Sequence, residues 1–311
     1  MNETIFPPDH EERLRRARLA MDGLSVGDAF GQCFFGDSPV LLYRFQHRQP
    51  PPSPWTYTDD TVMALSVYRC LAECGRIDCD RLAELFASEY ANCPWRGYGG
   101  TAHAILRAIG AGEPWKSAAG RAFSGMGSMG NGGAMRVAPL GAYYADDIDA
   151  LIEAARASAM VTHAHPEGQA GAIAAALAAA WAWNHRAAAA DASPDGVPEL
   201  LEFVLQHTPK GDTHTGIRRA LELPLTRPVN AAVGLLGNGC EITAPDTVPF
   251  SLWCAARHWQ DFTLAMWTTA SGSGDIDTTC AIVGGIVALS AGPVSIHPDW
   301  LAARGHLPLA D

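Results

Sequence analysis

Two short acidic stretches carry the clearest chemistry in the sequence. Tyr57-Thr58-Asp59-Asp60-Thr61 stands directly before an apolar run, and Gly274-Asp275-Ile276-Asp277-Thr278 repeats the arrangement far downstream. One Asp or Thr before a helix is ordinarily a cap that accepts a hydrogen bond from a first-turn N–H. Capping explains one residue of each stretch and leaves the others without a task. Asp59, Asp60, Asp275 and Asp277, with the Thr58 and Thr278 hydroxyls, are hard oxygen donors of the kind that Mg2+ or Mn2+ takes. Brought together, the carboxylates repel unless something neutralises them, so the pair of stretches is expected to hold two cations.

A second group of residues suits an anion. Glycine supplies 31 of the 311 residues, above the usual share of about 7%, and much of it gathers at 27–31, 96–101, 125–136 and 271–278. Glycine outside helices lets backbone N–H groups approach a ligand closely. The run around Gly130, Asn131, Gly132 and Gly133 can form an anion-binding nest, with a helix expected to start near Ala134 and add its positive end. A flexible connector is the plain alternative, but Asn131, Met135 and Arg136 interrupt the run. In Thr162-His163-Ala164-His165-Pro166-Glu167-Gly168 the two histidines are two apart and share no helix face, so His163 is expected to line a pocket from a loop.

The elements that must position these groups are helical by period. Helices are expected at Glu11–Phe35, Thr61–Cys74, Asp80–Ala91, Thr101–Gly110, Pro114–Ala122, Asp146–Met160, Pro166–Arg186, Val197–Gln206, Pro249–His258, Phe262–Ala270 and Thr278–Ala291. Gly27 and Gly31 interrupt the first of them, and the last is apolar all round, so its period alone does not separate helix from strand. The stretch from Ala187 to Gly196 reads as a surface loop. No alternation at period two recurs. The fold class is all-α, a single multi-helix domain over 1–311.

Composition narrows the partners. Hydrophobic residues make up 48% and charged residues 18%, which excludes disorder. Lys+Arg 22 against Asp+Glu 33 leaves a net charge of −11, so sequence-independent binding to nucleic-acid backbones or anionic membranes is not expected. No secretory leader or membrane span is evident, and the Ala170–Trp183 run reads as a packed core helix. The eight cysteines lack paired CxxC spacing; Cys70 and Cys74 offer at most half a zinc site, and a reduced, cytoplasmic protein is expected.

Gly27-Asp28-Ala29-Phe30-Gly31, Thr58-Asp59-Asp60-Thr61-Val62-Met63, Gly130-Asn131-Gly132-Gly133-Ala134-Met135-Arg136 with Pro139-Leu140-Gly141, Thr162-His163 with Pro166-Glu167-Gly168, and Asp275-Ile276-Asp277-Thr278 occur in this order. The set resembles the ADP-ribosylglycohydrolase family from about residue 15 to 291. The resemblance implies a single all-α domain with two Mg2+ or Mn2+ ions in a cleft, acting to remove ADP-ribose from protein side chains. Carried over, the metal ligands are Thr58, Asp59, Asp60, Asp275, Asp277 and Thr278. An N-glycosidic bond to arginine is the expected target, with Asp60 or Asp277 taking a proton from water or a ribose hydroxyl. Ser128 and Gly130–Gly133 would cradle the diphosphate, and Tyr98 with Gly99 and Gly100, and His163, would line the ribose or adenine. One departure stands out: Phe34 or Phe35 occupies the place of a loop Glu found in many relatives, with Asp37 nearby. The other readings are a hydrolase of serine-linked or O-acetyl-ADP-ribose, and a binding protein that neutralises an ADP-ribosyltransferase toxin. The Arg-rich segment from Phe6 to Arg18 is the feature that would serve such a partner, although an ordinary helix packed on the domain is expected there.

Overall fold

A computed structural model describes residues 6–36, 39–187 and 196–309, and its helices in chain order are α1 (His10–Gln32), α2 (Pro39–Gln46), α3 (Asp59–Cys74), α4 (Cys79–Asn92), α5 (Gly100–Gly110), α6 (Trp115–Gly120), α7 (Ala138–Tyr143) and α8 (Ile148–Met160). The second half adds α9 (Pro166–His185), α10 (Pro198–His207), α11 (Asp212–Glu222), α12 (Val229–Leu236), α13 (Ala244–Arg257), α14 (Phe262–Ala270), α15 (Ile276–Ala291) and α16 (Pro298–Arg304). Among the described residues there is no strand, only an isolated Gly130–Thr243 bridge. The all-α expectation holds. The Ala187–Gly196 loop lies largely outside the described residues.

Local signals set many boundaries. Asp78, Asp147 and Asp261 each accept a hydrogen bond from the third residue of the helix they precede, at 3.1, 3.0 and 2.8 Å. Gly75 ends α3 in the left-handed region with φ +67°. α13 begins at Ala244 rather than Pro249; Pro245 sits in its first turn and Pro249 lies inside. α2, α7, α11, α12 and α16 were not anticipated from sequence.

α1 and α15 form the middle of the molecule and press together along much of their length. A Cβ on Gly23, Gly27 or Gly31 would lie well inside 3.0 Å of the backbone of Gly284, Cys280 or Ile276, so the two main chains touch with no side chain between them. Gly27 and Gly31 therefore do not interrupt α1, which runs unbroken to Gln32. The Ala-rich α9 is buried along its whole face from Gly168 to Ala182 and packs against α7, α8, α10, α13 and α15. The apolar 276–291 run is a helix because it is enclosed on all sides by α1, α9, α13 and α14.

The basic face of α1 divides: Arg15 is exposed, whereas Arg13 and Arg16 turn toward the domain. Arg16 is 5% exposed and donates to the Tyr143 carbonyl at 2.8 Å and to Asp146 at 2.5 Å. Arg13 pairs with Asp9 at 2.8 Å. This segment is a helix docked on the end of α7. Phe34 is buried in an aromatic cluster with Phe30, Phe45 and Trp267, whereas Phe35 is exposed and Asp37 lies outside the described residues. No described helix is long and apolar enough to cross a membrane.

Candidate metal centre

The close contact of α1 with α15 fixes where their polar residues meet. Asp28 follows Gly27 on α1, and Asp277 opens α15; with Asp60 of α3 they offer carboxylate oxygens all within 4.8 Å of one another. Among the described residues this is the one grouping of three or more Asp, Glu, His or Cys donors able to share an ion. Asp28 is absent from the ligand set expected from sequence, although it lies in one of the motifs.

Asp28 is completely buried and saturated with donors. Its Oδ1 accepts from the Thr58 N–H at 3.1 Å and the Thr58 hydroxyl at 2.9 Å. Its Oδ2 accepts from the Thr58 N–H at 2.9 Å, the Thr61 N–H at 3.1 Å and the Thr61 hydroxyl at 2.5 Å. Asp28 thus caps α3 from another helix, and the Thr58 side chain makes no local cap. With both oxygens occupied it orients Thr58 and Asp60 rather than offering a free lone pair to an ion. Asp28→Asn puts an NH2 group against these donors and is expected to destabilise the protein by roughly 2–4 kcal/mol at pH 7, where the Asp28 carboxyl is ionised; chemical denaturation measures it, and an unchanged midpoint contradicts this role.

Asp60, 2% exposed, has the donor atom best suited to an ion: its Oδ1 is buried with no hydrogen-bond partner. Its Oδ2 lies 2.9 Å from the same Thr58 hydroxyl that serves Asp28. One hydroxyl hydrogen does not satisfy two carboxylates, so without a cation a proton must reside on the pair. Burial, and next the charge of Asp28, push the Asp60 carboxyl well above the usual range. Burial raises Asp277 to about 8, Asp59 to about 7 and Asp28 to about 6, with neighbouring carboxylates adding to the first two. Excess negative charge on hard oxygen atoms, with an orphaned buried acceptor among them, fits a divalent cation.

The remaining expected residues divide. The Asp59 N–H donates to the Arg96 carbonyl at 2.7 Å, and a Cβ on Gly97 would stand 3.2 Å from Asp59 Oδ1, which brings the 96–98 segment against it. Tyr98 is 5% exposed with its hydroxyl unpartnered, and burial, followed by Asp59, raises its pKa. Gly99 and Gly100 sit exposed at the start of α5, and no described contact ties them to the carboxylates. Asp275 accepts from Asn131 Nδ2 at 2.7 Å, and the same nitrogen lies 3.0 Å from the Thr247 hydroxyl. Asn131 therefore fastens the glycine loop to the acidic cluster. Thr278 is buried, with its N–H donating to Asp277 at 2.9 Å.

Ser128 accepts from the Gly130 N–H at 3.2 Å. Cβ atoms on Gly130 and Gly132 would lie 3.2 and 3.0 Å from His163 Nε2, so these glycines make room for the imidazole. The expected helix near Ala134 is not there. Asn131–Gly133 form one turn of 3-10 helix, with Ala134 and Met135 N–H groups folding back on the Asn131 carbonyl. α7 starts only at Ala138, where Pro139 fits a first turn, and with six residues it supplies no helix dipole to the loop. His165 is not a ligand: its Nδ1 accepts from the Glu167 N–H at 3.1 Å as a cap of α9. Cys70 is a buried thiol accepting from the Asp78 N–H at 3.4 Å, and no metal grouping includes it. The residues that sequence reasoning missed are Asp28, whose signal was its place between α1 glycines spaced by four, and Asn238, whose carbonyl holds the Asp275 N–H at 3.1 Å.

A family model for ADP-ribosylglycohydrolase matches residues 9–310. The chain belongs to the ADP-ribosylglycohydrolase family. It is 31% identical to ADP-ribosylhydrolase ARH3 of Xenopus tropicalis, over 95% of this chain and 93% of that protein. It is also 28% identical to ADP-ribosylhydrolase ARH3 of Homo sapiens, over 92% of this chain and 88% of the relative. A solved structure titled ADP-ribosylglycohydrolase-related protein complex superposes with a TM-score of 0.64 at 26% identity, covering 94% of this chain and 93% of that one. Membership makes the chain a glycohydrolase of a metal-dependent family, and its acidic cluster is able to bind metal.

Proposed function

We propose that the protein is a divalent-cation-dependent hydrolase that releases ADP-ribose from modified protein side chains by cleaving a glycosidic bond at the ribose. The observation that carries this reading is the unpartnered Asp60 Oδ1 inside a carboxylate cluster held by α1, α3 and α15. Thr58, Asp59, Asp60, Asp275, Asp277 and Thr278 would hold two Mg2+ or Mn2+ ions. Bound there, the cations supply Lewis acidity toward the ribose hydroxyls and a water molecule. The chain's own carboxylates do the rest. Asp60 and Asp277, buried together at the junction of α1, α3 and α15, are the carboxylates to take a proton from that water or from a hydroxyl. Asn131 holds Asp275 in place, and Ser128 with the 130–133 loop forms the wall on which the diphosphate would rest.

Arginine is the acceptor expected from the sequence, and burial of Phe34 among aromatic side chains supports it: Phe34 offers no carboxylate where relatives carry a loop Glu. A second reading is a serine or O-acetyl linkage. It is favoured by the whole-length matches to proteins called ADP-ribosylhydrolase ARH3, a name that specifies ADP-ribose and leaves the acceptor open. Neutralisation of a toxin by occlusion is disfavoured, since Arg13 and Arg16 are engaged with the domain itself.

Side-by-side release assays on arginine-linked, serine-linked and O-acetyl-ADP-ribose, with Mg2+, Mn2+ or excess chelator, test both levels. Release is expected to require the cation and to fall at least about 100-fold in Asp277→Asn. Full activity in chelator overturns the metal reading, and the preferred substrate decides the linkage.

A further inference from the structure

Arg136 is a charged side chain with no exposed surface and, among the described residues, no carboxylate within ion-pair distance. Its guanidinium lies 4.4 Å over the Phe86 ring and donates to the Ser158 carbonyl at 2.7 Å and to the Thr162 hydroxyl at 3.0 Å. Burial lowers its pKa to about 9, so placing it here is unfavourable and calls for a reason. The reason lies one bond further on. Thr162 Oγ1 is 2.7 Å from His163 Nδ1, and Thr162 is 1% exposed.

Counting hydrogens settles the direction of this chain. Guanidinium only donates, so Thr162 Oγ1 accepts from Arg136. The threonine then has one hydrogen of its own, buried, with His163 Nδ1 as the neighbour to receive it. If Nδ1 carried a proton, the threonine hydrogen would be left without a partner in a dry interior, a loss comparable to a whole hydrogen bond. Nδ1 is therefore the acceptor, and the ring proton sits on Nε2. Burial, with the nearby Arg136 charge, lowers the imidazole pKa to about 3, in keeping with a neutral ring. The Nε2 edge faces the loop that Asn131 ties to Asp275: Cβ atoms at Gly132 and Gly130 would be 3.0 and 3.2 Å from it.

We propose that Arg136 and Thr162 form a positioning pair that locks His163 in the Nε2–H tautomer, making its outer ring edge a fixed hydrogen-bond donor to an oxygen of bound ADP-ribose. The donor's target rests on the ADP-ribose reading above; the tautomer does not. His163 so held cannot serve as a base through Nε2, which leaves proton abstraction to the carboxylates. The neutral donor also recognises a ribose or phosphate oxygen without adding a cation beside the metal ions.

The test uses the full chain loaded with Mg2+, which is diamagnetic. Ring 15N shifts of His163, assigned among the 11 histidines by their loss in His163→Gln, report the tautomer directly. Wild type is expected to show a protonated Nε2 and an unprotonated Nδ1. Thr162→Val should yield mixed tautomers and about tenfold weaker ADP-ribose binding by calorimetry, and Thr162→Ser should restore both. A protonated Nδ1 in wild type overturns the proposal even if no variant folds. So does Thr162→Val with an unaltered tautomer or affinity. Wild type that shows the Nε2–H form yet fails to bind ADP-ribose overturns the functional reading and the assigned target, and so fails differently from a wrong tautomer.

Discussion

Asp60→Asn is expected to raise the melting temperature of the metal-free protein at pH 8 while abolishing ADP-ribose release. The two effects have one origin. Asp277, Asp59 and Asp28 are held near 8, 7 and 6, far above the ordinary 3.8, by burial, with neighbouring carboxylates adding to the rise at Asp277 and Asp59, and Asp60 is raised in the same direction. Below about pH 4 these carboxyls are protonated in folded and unfolded chain alike, and the fold has its full stability. Above that the unfolded chain releases its protons while the folded chain still holds them. Stability therefore falls progressively from about pH 4 to about pH 8, by about 1.4 kcal/mol per decade of pH for each proton so retained. Asparagine removes one charge from the repelling set, so the variant should lose less over this interval, with a difference on the order of 1–3 kcal/mol. Mg2+ should raise the wild-type melting temperature at pH 8 and raise that of the variant far less. Scanning calorimetry at pH 5 and pH 8, with chelator or with Mg2+, reads all of this. A metal-free wild type that becomes more stable between those pH values contradicts the account.

Gly27→Ala adds a single methyl group and is expected to destabilise the protein by roughly 2–4 kcal/mol and to remove activity as well. The new Cβ would press on the Cys280 carbonyl of α15, a backbone atom that no rotamer change can move aside. Relief requires α1 and α15 to separate, and Asp28 and Asp277 ride on those two helices. Alanine is normally the better helix former, by about 1 kcal/mol. Gly234→Ala in α12, where the added Cβ meets open space, should follow that ordinary rule and stabilise slightly. Urea denaturation of the two variants compares them within one molecule. If both shift the midpoint in the same direction, the close-contact explanation is wrong.

The same pair of helices shows what the sequence made legible. Thr58-Asp59-Asp60 and Asp275-Ile276-Asp277 were readable because two carboxylates beside a helix start exceed what capping needs. Asp28 was not, because it lies mid-helix in an apolar run and its importance depends on how closely a helix some 250 residues away approaches. That distance is set by Gly23, Gly27 and Gly31, which local rules treat as helix weaknesses. α11 escaped for a related reason. Its sequence, Asp-Thr-His-Thr-Gly, forms helices poorly, and its first N–H groups, Asp212 and Thr213, are capped by Glu167 from α9 at 2.8 Å each. Likewise the glycine loop announced itself by composition, but its companion at Asn238 did not, since a backbone carbonyl leaves no mark in a sequence.

Backbone contact between α1 and α15 divides the molecule into a part that cannot vary and a part that can. Along that seam even a methyl group is excluded, so the spacing of the acidic residues is insulated from drift elsewhere. Trp95 and Ile242, by contrast, are more than half exposed next to the cluster's supports, the first beside Arg96 and the second beside Thr243 of the Gly130–Thr243 bridge, with its carbonyl accepting from the Asn131 N–H. Substitutions at that rim should therefore alter which modified partner is accepted while leaving the spacing of the acidic residues unchanged.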